Sequence, residues 1–144
     1  MENEDFVKLE TSKFEGKLYY DIYKLFNDHA FEQTNIRNYW GDENCIIAKV
    51  HNEIAGVIVY AICGGQLWIY QLFLKKAFRG QGIGKILLTH AENYAKKHGC
   101  NFIYLETMSF QNVNFYKKHG FKKDFERPGF ANNASWLYMS KHLN

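Results

Sequence analysis

The stretch whose residue types most directly suggest chemistry is Arg79-Gly80-Gln81-Gly82-Ile83-Gly84-Lys85. Glycine lets backbone N–H groups come close to a ligand, and the first turn of a helix carries partial positive charge. Arg79 and Lys85 add two full charges. This combination suits an anion such as a phosphate. A plain surface turn explains the three glycines poorly, because glycine so close to a helix start costs conformational entropy. The turn reads as the holder of the pyrophosphate of a nucleotide-like cofactor.

The flanking sequence must position it. Residues 67–74 form an apolar strand and residues 82–98 an amphipathic helix. Ile83, Ile86, Leu87, Ala91, Tyr94 and Ala95 recur at helical spacing and predict one buried stripe. Lys96, Lys97 and His98 suit the negative end of that helix, and Gly99 suits the position just past it. Upstream, the pattern predicts a short strand within 6–14, a helix over 19–31, and a loop or second short helix over 32–44. Strands at 45–50 and 54–62 flank a turn at His51-Asn52-Glu53. Downstream, a strand over 101–107 can lie parallel to 67–74 through the intervening helix. A short helix over 111–119 and late strands at 121–125 and 136–142, joined by an irregular segment, complete the chain.

The 144 residues suit one domain spanning 1–144. With 47% hydrophobic and 17% aromatic residues, the chain can bury a core. A formal net charge of +3 is too small to predict a nucleic-acid partner, yet it suits a polyanionic cofactor. Cys45, Cys63 and Cys100 are widely spaced and odd in number, which reads as reduced thiols in a cytoplasmic protein. The acidic, polar N-terminus resembles no targeting peptide. No apolar run approaches the ~20 residues that span a bilayer. No cluster has metal-ligand spacing, so the metal expectation is none.

Three cofactor readings compete for the turn. A P-loop requires GxxxxGK[ST]; with Gly84-Lys85 as the GK pair, Arg79 and Ile86 occupy the first glycine and the Ser/Thr positions, and the reading fails. A dinucleotide fingerprint requires GxGxxG, whereas the spacing here is Gly80-x-Gly82-x-Gly84, preceded by antiparallel-looking strands. The third fits best. Arg79-x-x-Gly82-x-Gly84 between a strand and a helix resembles the acetyl-CoA signature of the GNAT superfamily of N-acetyltransferases. Leu105 to Phe121, with Phe115-Tyr116 and Gly120-Phe121 in an FYxxxGF pattern, resembles that superfamily's second segment. The likeness is specific over 67–121 and vague over the first 40 residues. Ser109 and Asn112 depart from the residues usual in many relatives.

The resemblance implies an α/β GNAT fold, a mixed twisted sheet of about six to seven strands with helices on both faces. It implies acetyl-CoA (coenzyme A) as cosubstrate and a small-molecule or peptide amine as acceptor, with no membrane partner and a homodimer as a common state. Backbone groups of Leu72, Phe73 and Leu74 would pair with the pantetheine arm, and one N–H would polarise the thioester carbonyl. The main-chain N–H groups of Gly80, Gln81, Gly82, Ile83 and Gly84 would meet the pyrophosphate, with Arg79 and Lys85 beside them. Asn112 would contact the arm. Tyr116 would be the general acid for the leaving thiolate, and Glu106 the general base or a substrate-orienting carboxylate. Gln71 occupies a position where some relatives carry a catalytic glutamate. Tyr39, Trp40, Asp42, Glu43, Phe130 and Trp136 would shape the acceptor pocket. The competing expectation is an acyl-CoA-binding sensor without catalysis.

Overall fold

The computed structural model describes residues 7–144. The chain divides into two compact units, Met1–Asn38 and Tyr39–Asn144.

In the first unit, α1 spans Gly16–Thr34, three residues longer at each end than its apolar spacing predicts. The exposed i,i+4 pair of Lys17 with Asp21 supports the added N-terminal residues, and Lys24 with Asp28 supports the middle of the helix. It ends where Asn35 turns left-handed (φ 60°) and donates its N–H to the Phe31 carbonyl at 2.8 Å. The strand predicted within 6–14 does not form over residues 7–14, and residue 6 lies outside the described residues. The rings of Phe14, Tyr19 and Tyr23 instead pack on one another within this unit.

The second unit is a six-stranded mixed sheet in the order β1-β2-β3-β4-β6-β5. Its strands are β1 (Asn44–Val50), β2 (Glu53–Cys63), β3 (Gln66–Leu74), β4 (Phe102–Met108), β5 (Lys122–Phe130) and β6 (Ala134–His142). The helices are α2 (Ile83–Lys97) and α3 (Val113–Lys118). Only β3 and β4 run parallel, because α2 carries the chain across between them. The segment at 32–44 holds no second helix; Trp40 instead bridges to Cys63.

One face of α2 supplies the core. Leu87, Leu88, Ala91 and Ala95 are buried against Ile58, Leu67, Ile103, Leu105 and Met139. Ile86, expected in the buried stripe, is 56% exposed, and Leu88 takes its place. The helix sits rotated toward 84, 88, 91 and 95, so its small residues face the sheet. Its C-terminus closes as expected: Gly99 is left-handed (φ 74°), with Gly99 N–H on Lys96 O and Cys100 N–H on Ala95 O. Glu92 and Lys141, both mostly covered, join α2 to β6 at 2.7 Å.

β3 carries a bulge. Val59 faces Gln71 while the next residue, Tyr60, faces Ile69, so Tyr70 is the extra residue. The bulge resets the alternation, so Leu67 and Ile69 before it and Leu72 and Leu74 after it share the core side. At the outer edge, β5 and β6 replace most of the predicted irregular link. β5 runs to Phe130, exposed along its whole length, and its register on β6 slips twice. No helix among the described residues is long and apolar enough to cross a membrane.

Candidate active site

The parallel pair is short. Leu67, Trp68 and Ile69 face Ile103, Tyr104 and Leu105, and the ladder stops there. Beyond it, β3 stays with β2 as far as Leu74 and β4 stays with β6 as far as Met108. The two central strands therefore diverge, and each turns a row of backbone groups into the gap. A cleft of about 540 Å³ fills it. One wall is Gln71, Leu72, Phe73 and Leu74; the other is Leu105, Glu106 and Thr107. Asn112, Phe115 and Tyr116 of the α3 segment close one side, and Arg79 and Gly84 stand at the glycine turn.

Glycine is required at that turn for two reasons. Gly80 and Gly82 adopt φ of 77° and 80°, where a side chain is strained. Gly84 has an ordinary backbone, but a Cβ there would sit 3.2 Å from Leu74 Cδ1 and 3.3 Å from the Phe115 ring. Its role is close packing of α2 against the strand and α3. The first intrahelical bond runs from Ile86 N–H to Gly82 O at 3.1 Å, so the N–H groups of Ile83, Gly84 and Lys85 precede the helical ladder. Arg79 donates from Nε to the Leu74 carbonyl at 3.1 Å, which ties the turn to the end of β3. The surroundings are cationic: partial burial, then Lys85, Lys118 and Lys141, lower the pKa of His119. Gln81 donates to Ala77 O at 3.4 Å.

Tyr116 is 8% exposed, packed edge-on against Phe115 and Phe121. Burial pushes its phenol up to about 12. No fully enclosed side-chain N or O among the described residues lacks a partner, and none pairs with the Tyr116 hydroxyl, so that oxygen opens onto the cleft. Glu106 is exposed on the opposite side of β4 from the buried Leu105 and Thr107. The cleft lining thus extends from the cationic turn and α3 to Glu106.

The other predicted residues separate. Tyr39 and Trp40 line a second cavity of about 320 Å³ with Cys63, Phe102, Tyr104 and Tyr138. Phe130 lines neither cavity and packs on Trp136 at the end of the β5–β6 pair. Ser109 is held away from the cleft, its backbone N–H on Ser135 O and its Oγ accepting from Ser135 N–H, both at 2.8 Å. Thr107, Phe110 and Gln111 also line the cleft without having been assigned a role from sequence, as does Phe115, the first residue of the FYxxxGF pattern. Gln111 Oε1 accepts from Thr107 Oγ1 at 3.1 Å and Met108 N–H at 2.9 Å, fixing the turn from β4 into α3. The Thr–Gln pair four residues apart was the available signal. Among the described residues, no three His, Cys, Asp or Glu side chains converge as metal ligands would.

Residues 6–121 match the model of the acetyltransferase (GNAT) family. An acetyltransferase of Agrobacterium fabrum is 38% identical over 102 residues, covering 71% of this chain and 74% of that protein. A spermidine N(1)-acetyltransferase of Thermoplasma acidophilum is 30% identical over 106 residues, covering 72% of this chain and 62% of that one. Among solved structures, an acetyltransferase from Bacillus cereus superposes with a TM-score of 0.73 at 24% identity, covering 96% and 99% of the two chains. A Bacillus anthracis protein described as a streptothricin acetyltransferase, in complex with acetyl coenzyme A, gives a TM-score of 0.64 at 28% identity over 71% of this chain and 63% of that one.

Proposed function

Because the chain belongs to the acetyltransferase (GNAT) family, we propose that it moves the acetyl group of acetyl-CoA to a primary amine of a small molecule or peptide, by direct attack while both are bound. The observation that carries this reading is the parting of β3 and β4 after Ile69 and Leu105, which opens backbone groups into a cleft flanked by Tyr116 and Glu106. The fit to acetyl-CoA rests on two features of this chain. The divergent strand edge suits an amide-bearing arm, and the glycine turn, kept bare at Gly84 by Leu74 and Phe115, suits a pyrophosphate.

Leu72, Phe73 and Leu74 receive the pantetheine arm through their cleft-side backbone groups, and one N–H polarises the acetyl carbonyl. The turn from Gly80 to Lys85 and the Arg79 charge hold the pyrophosphate, and Asn112 borders the arm. An alkylammonium has a pKa of about 10.4, so at neutral pH the acceptor must give up a proton before it can attack. Glu106 takes that proton, directly or through water, and Gln71 orients the acceptor or that water. Attack forms the amide C–N bond and releases the thiolate. Tyr116 donates its phenolic proton to the departing sulfur and is reprotonated from solvent. Burial raises the phenol, and it raises a buried thiolate as well, so the proton transfer stays feasible.

The test is release of free CoA thiol with a panel of amines. Turnover with at least one amine, abolished by omitting it, supports the reading. Tight CoA binding with no turnover on any amine would favour a sensor of acyl-CoA.

A further inference from the structure

The second cavity lies on the face of the sheet that carries Glu106. Phe102, Tyr104 and Glu106 alternate with Ile103, Leu105 and Thr107, whose side chains enter the core under α2 or the inner side of the cleft. Its walls are rings. Tyr39 and Trp40, with ring centroids 5.0 Å apart, line it together with Phe102, Tyr104 and Tyr138. The row continues, with Trp68 stacked on Tyr104 at 5.7 Å and Tyr104 on Tyr138 at 5.8 Å.

The cavity is built rather than incidental. Gly41 N–H donates to Ile62 O and Gly64 N–H to Tyr39 O, both at 2.8 Å, which clamps the Tyr39–Gly41 segment onto the end of β2. A side chain at Gly64 would meet the Tyr39 hydroxyl at 3.0 Å. Gln66 Oε1 accepts the N–H groups of Asn101 and Phe102 at 2.8 and 2.9 Å and fixes the floor. No lysine, arginine or branched aliphatic side chain lines it. Two carboxylates lie close to this lining without being part of it: the charge of Glu106 acts on Tyr104 and Tyr138, and that of Glu43 on Cys63. Glu106 is two residues from Tyr104 on the same face of β4, about 7 Å along the strand. Glu43 follows the clamped segment; burial pushes the Cys63 thiol up, hydrogen bonds with Tyr70, Gly41 and Tyr104 oppose the shift, and the Glu43 charge adds a smaller push upward.

We propose that this aromatic cavity is a second acceptor subsite, holding one ammonium group of a linear aliphatic diamine or longer polyamine while another amine of the same molecule reacts beside Glu106. The inference rests on the acetyl-transfer reading and specifies its acceptor. Ring faces attract a cation, and the attraction grows as water is excluded. Two separate carboxylates near the rings, with no lysine or arginine in the lining, favour a ligand positive at two points. The cationic turn and Glu106 belong to different parts of the cleft lining, so the two substrates meet surfaces of opposite sign.

The test is calorimetric titration of putrescine, n-butylamine and benzylamine into CoA-saturated protein. Putrescine is expected to bind on the order of tenfold more tightly than n-butylamine. Trp40→Leu and Glu43→Gln should each remove most of that advantage and leave n-butylamine and CoA binding unchanged. Equal affinity for putrescine and n-butylamine, or no putrescine binding, overturns the proposal. Tighter binding of benzylamine than of putrescine overturns it in favour of a neutral ring site. Binding is read without chemistry, so an absence of acetyl transfer would leave this result legible. Transfer without a diamine preference would remove this inference alone.

Discussion

Leu74 and Gly84 touch where the last residue of β3 meets the first turn of α2, and a Cβ on Gly84 would stand 3.2 Å from Leu74 Cδ1. Phe115 closes the third side at 3.3 Å. A larger side chain must push both away. Gly84→Leu is expected to cost about 1–3 kcal/mol of stability through overpacking, measured by urea unfolding. It should also weaken acetyl-CoA binding by tenfold or more, since the same displacement narrows the cleft. Unchanged affinity would show that the contact matters only to packing.

Tyr116→Phe keeps the ring contacts with Phe115 and Phe121 and removes only the hydroxyl. Turnover should fall about 10²-fold, the lower range for loss of an acid–base group. The dissociation constant for acetyl-CoA should stay within a factor of about two. A proportional loss in both would recast Tyr116 as a binding residue.

The same phenol makes a stability prediction. Burial raises its pKa to about 12, so the fold favours the neutral form. Its contribution is complete below the ordinary tyrosine value of about 10 and is lost as pH rises toward the folded value, because the unfolded chain gives up the proton first. The loss amounts to roughly 2–3 kcal/mol across that window. Unfolding midpoints measured at rising pH should fall less steeply for Tyr116→Phe than for the parent. Parallel curves would mean that the phenol is not sequestered.

Glu106→Gln should lower kcat/KM at neutral pH by about 10²-fold while sparing acetyl-CoA affinity. The deficit should shrink as pH approaches the amine's own pKa of about 10.4, where the acceptor needs no base. A deficit constant with pH would assign Glu106 to orientation alone.

Arg79 differs from Lys85 in having a second attachment, through Nε to the Leu74 carbonyl. Arg79→Lys should therefore weaken acetyl-CoA binding despite keeping the charge, and Lys85→Ala should weaken it less. The Lys85 effect should decline with added salt, as expected of an exposed charge. Equal effects of both changes at all salt concentrations would contradict this division.

The elements from β1 to α3 were legible because each has a strong local signal: alternating strands, glycine punctuation, and the stripe of α2. Less legible was anything decided across the sheet. The bulge at Tyr70 depends on how β2 pairs with β3, so no period within 67–74 announces it. Ile86 and Leu88 both fit an apolar helix face; the sheet decides between them by favouring the face rich in small residues. β5 is exposed throughout and has no apolar period, so its extension to Phe130 is set by pairing with β6. The FYxxxGF pattern points to Tyr116 and the strand-end position to Glu106, and both line the cleft, whereas Tyr39 and Trp40 belong to a separate cavity because the clamp onto β2 places them there.

The exposed outer strand has a consequence for how the protein behaves at high concentration. A regular sheet margin invites another chain to add to it. Here that margin carries Lys122, Lys123, Asp124, Glu126 and Arg127, then Pro128, which has no N–H to offer. Its two slips in register further break the even spacing that an incoming strand would need. The charges, the proline and the broken register all oppose strand addition from this side.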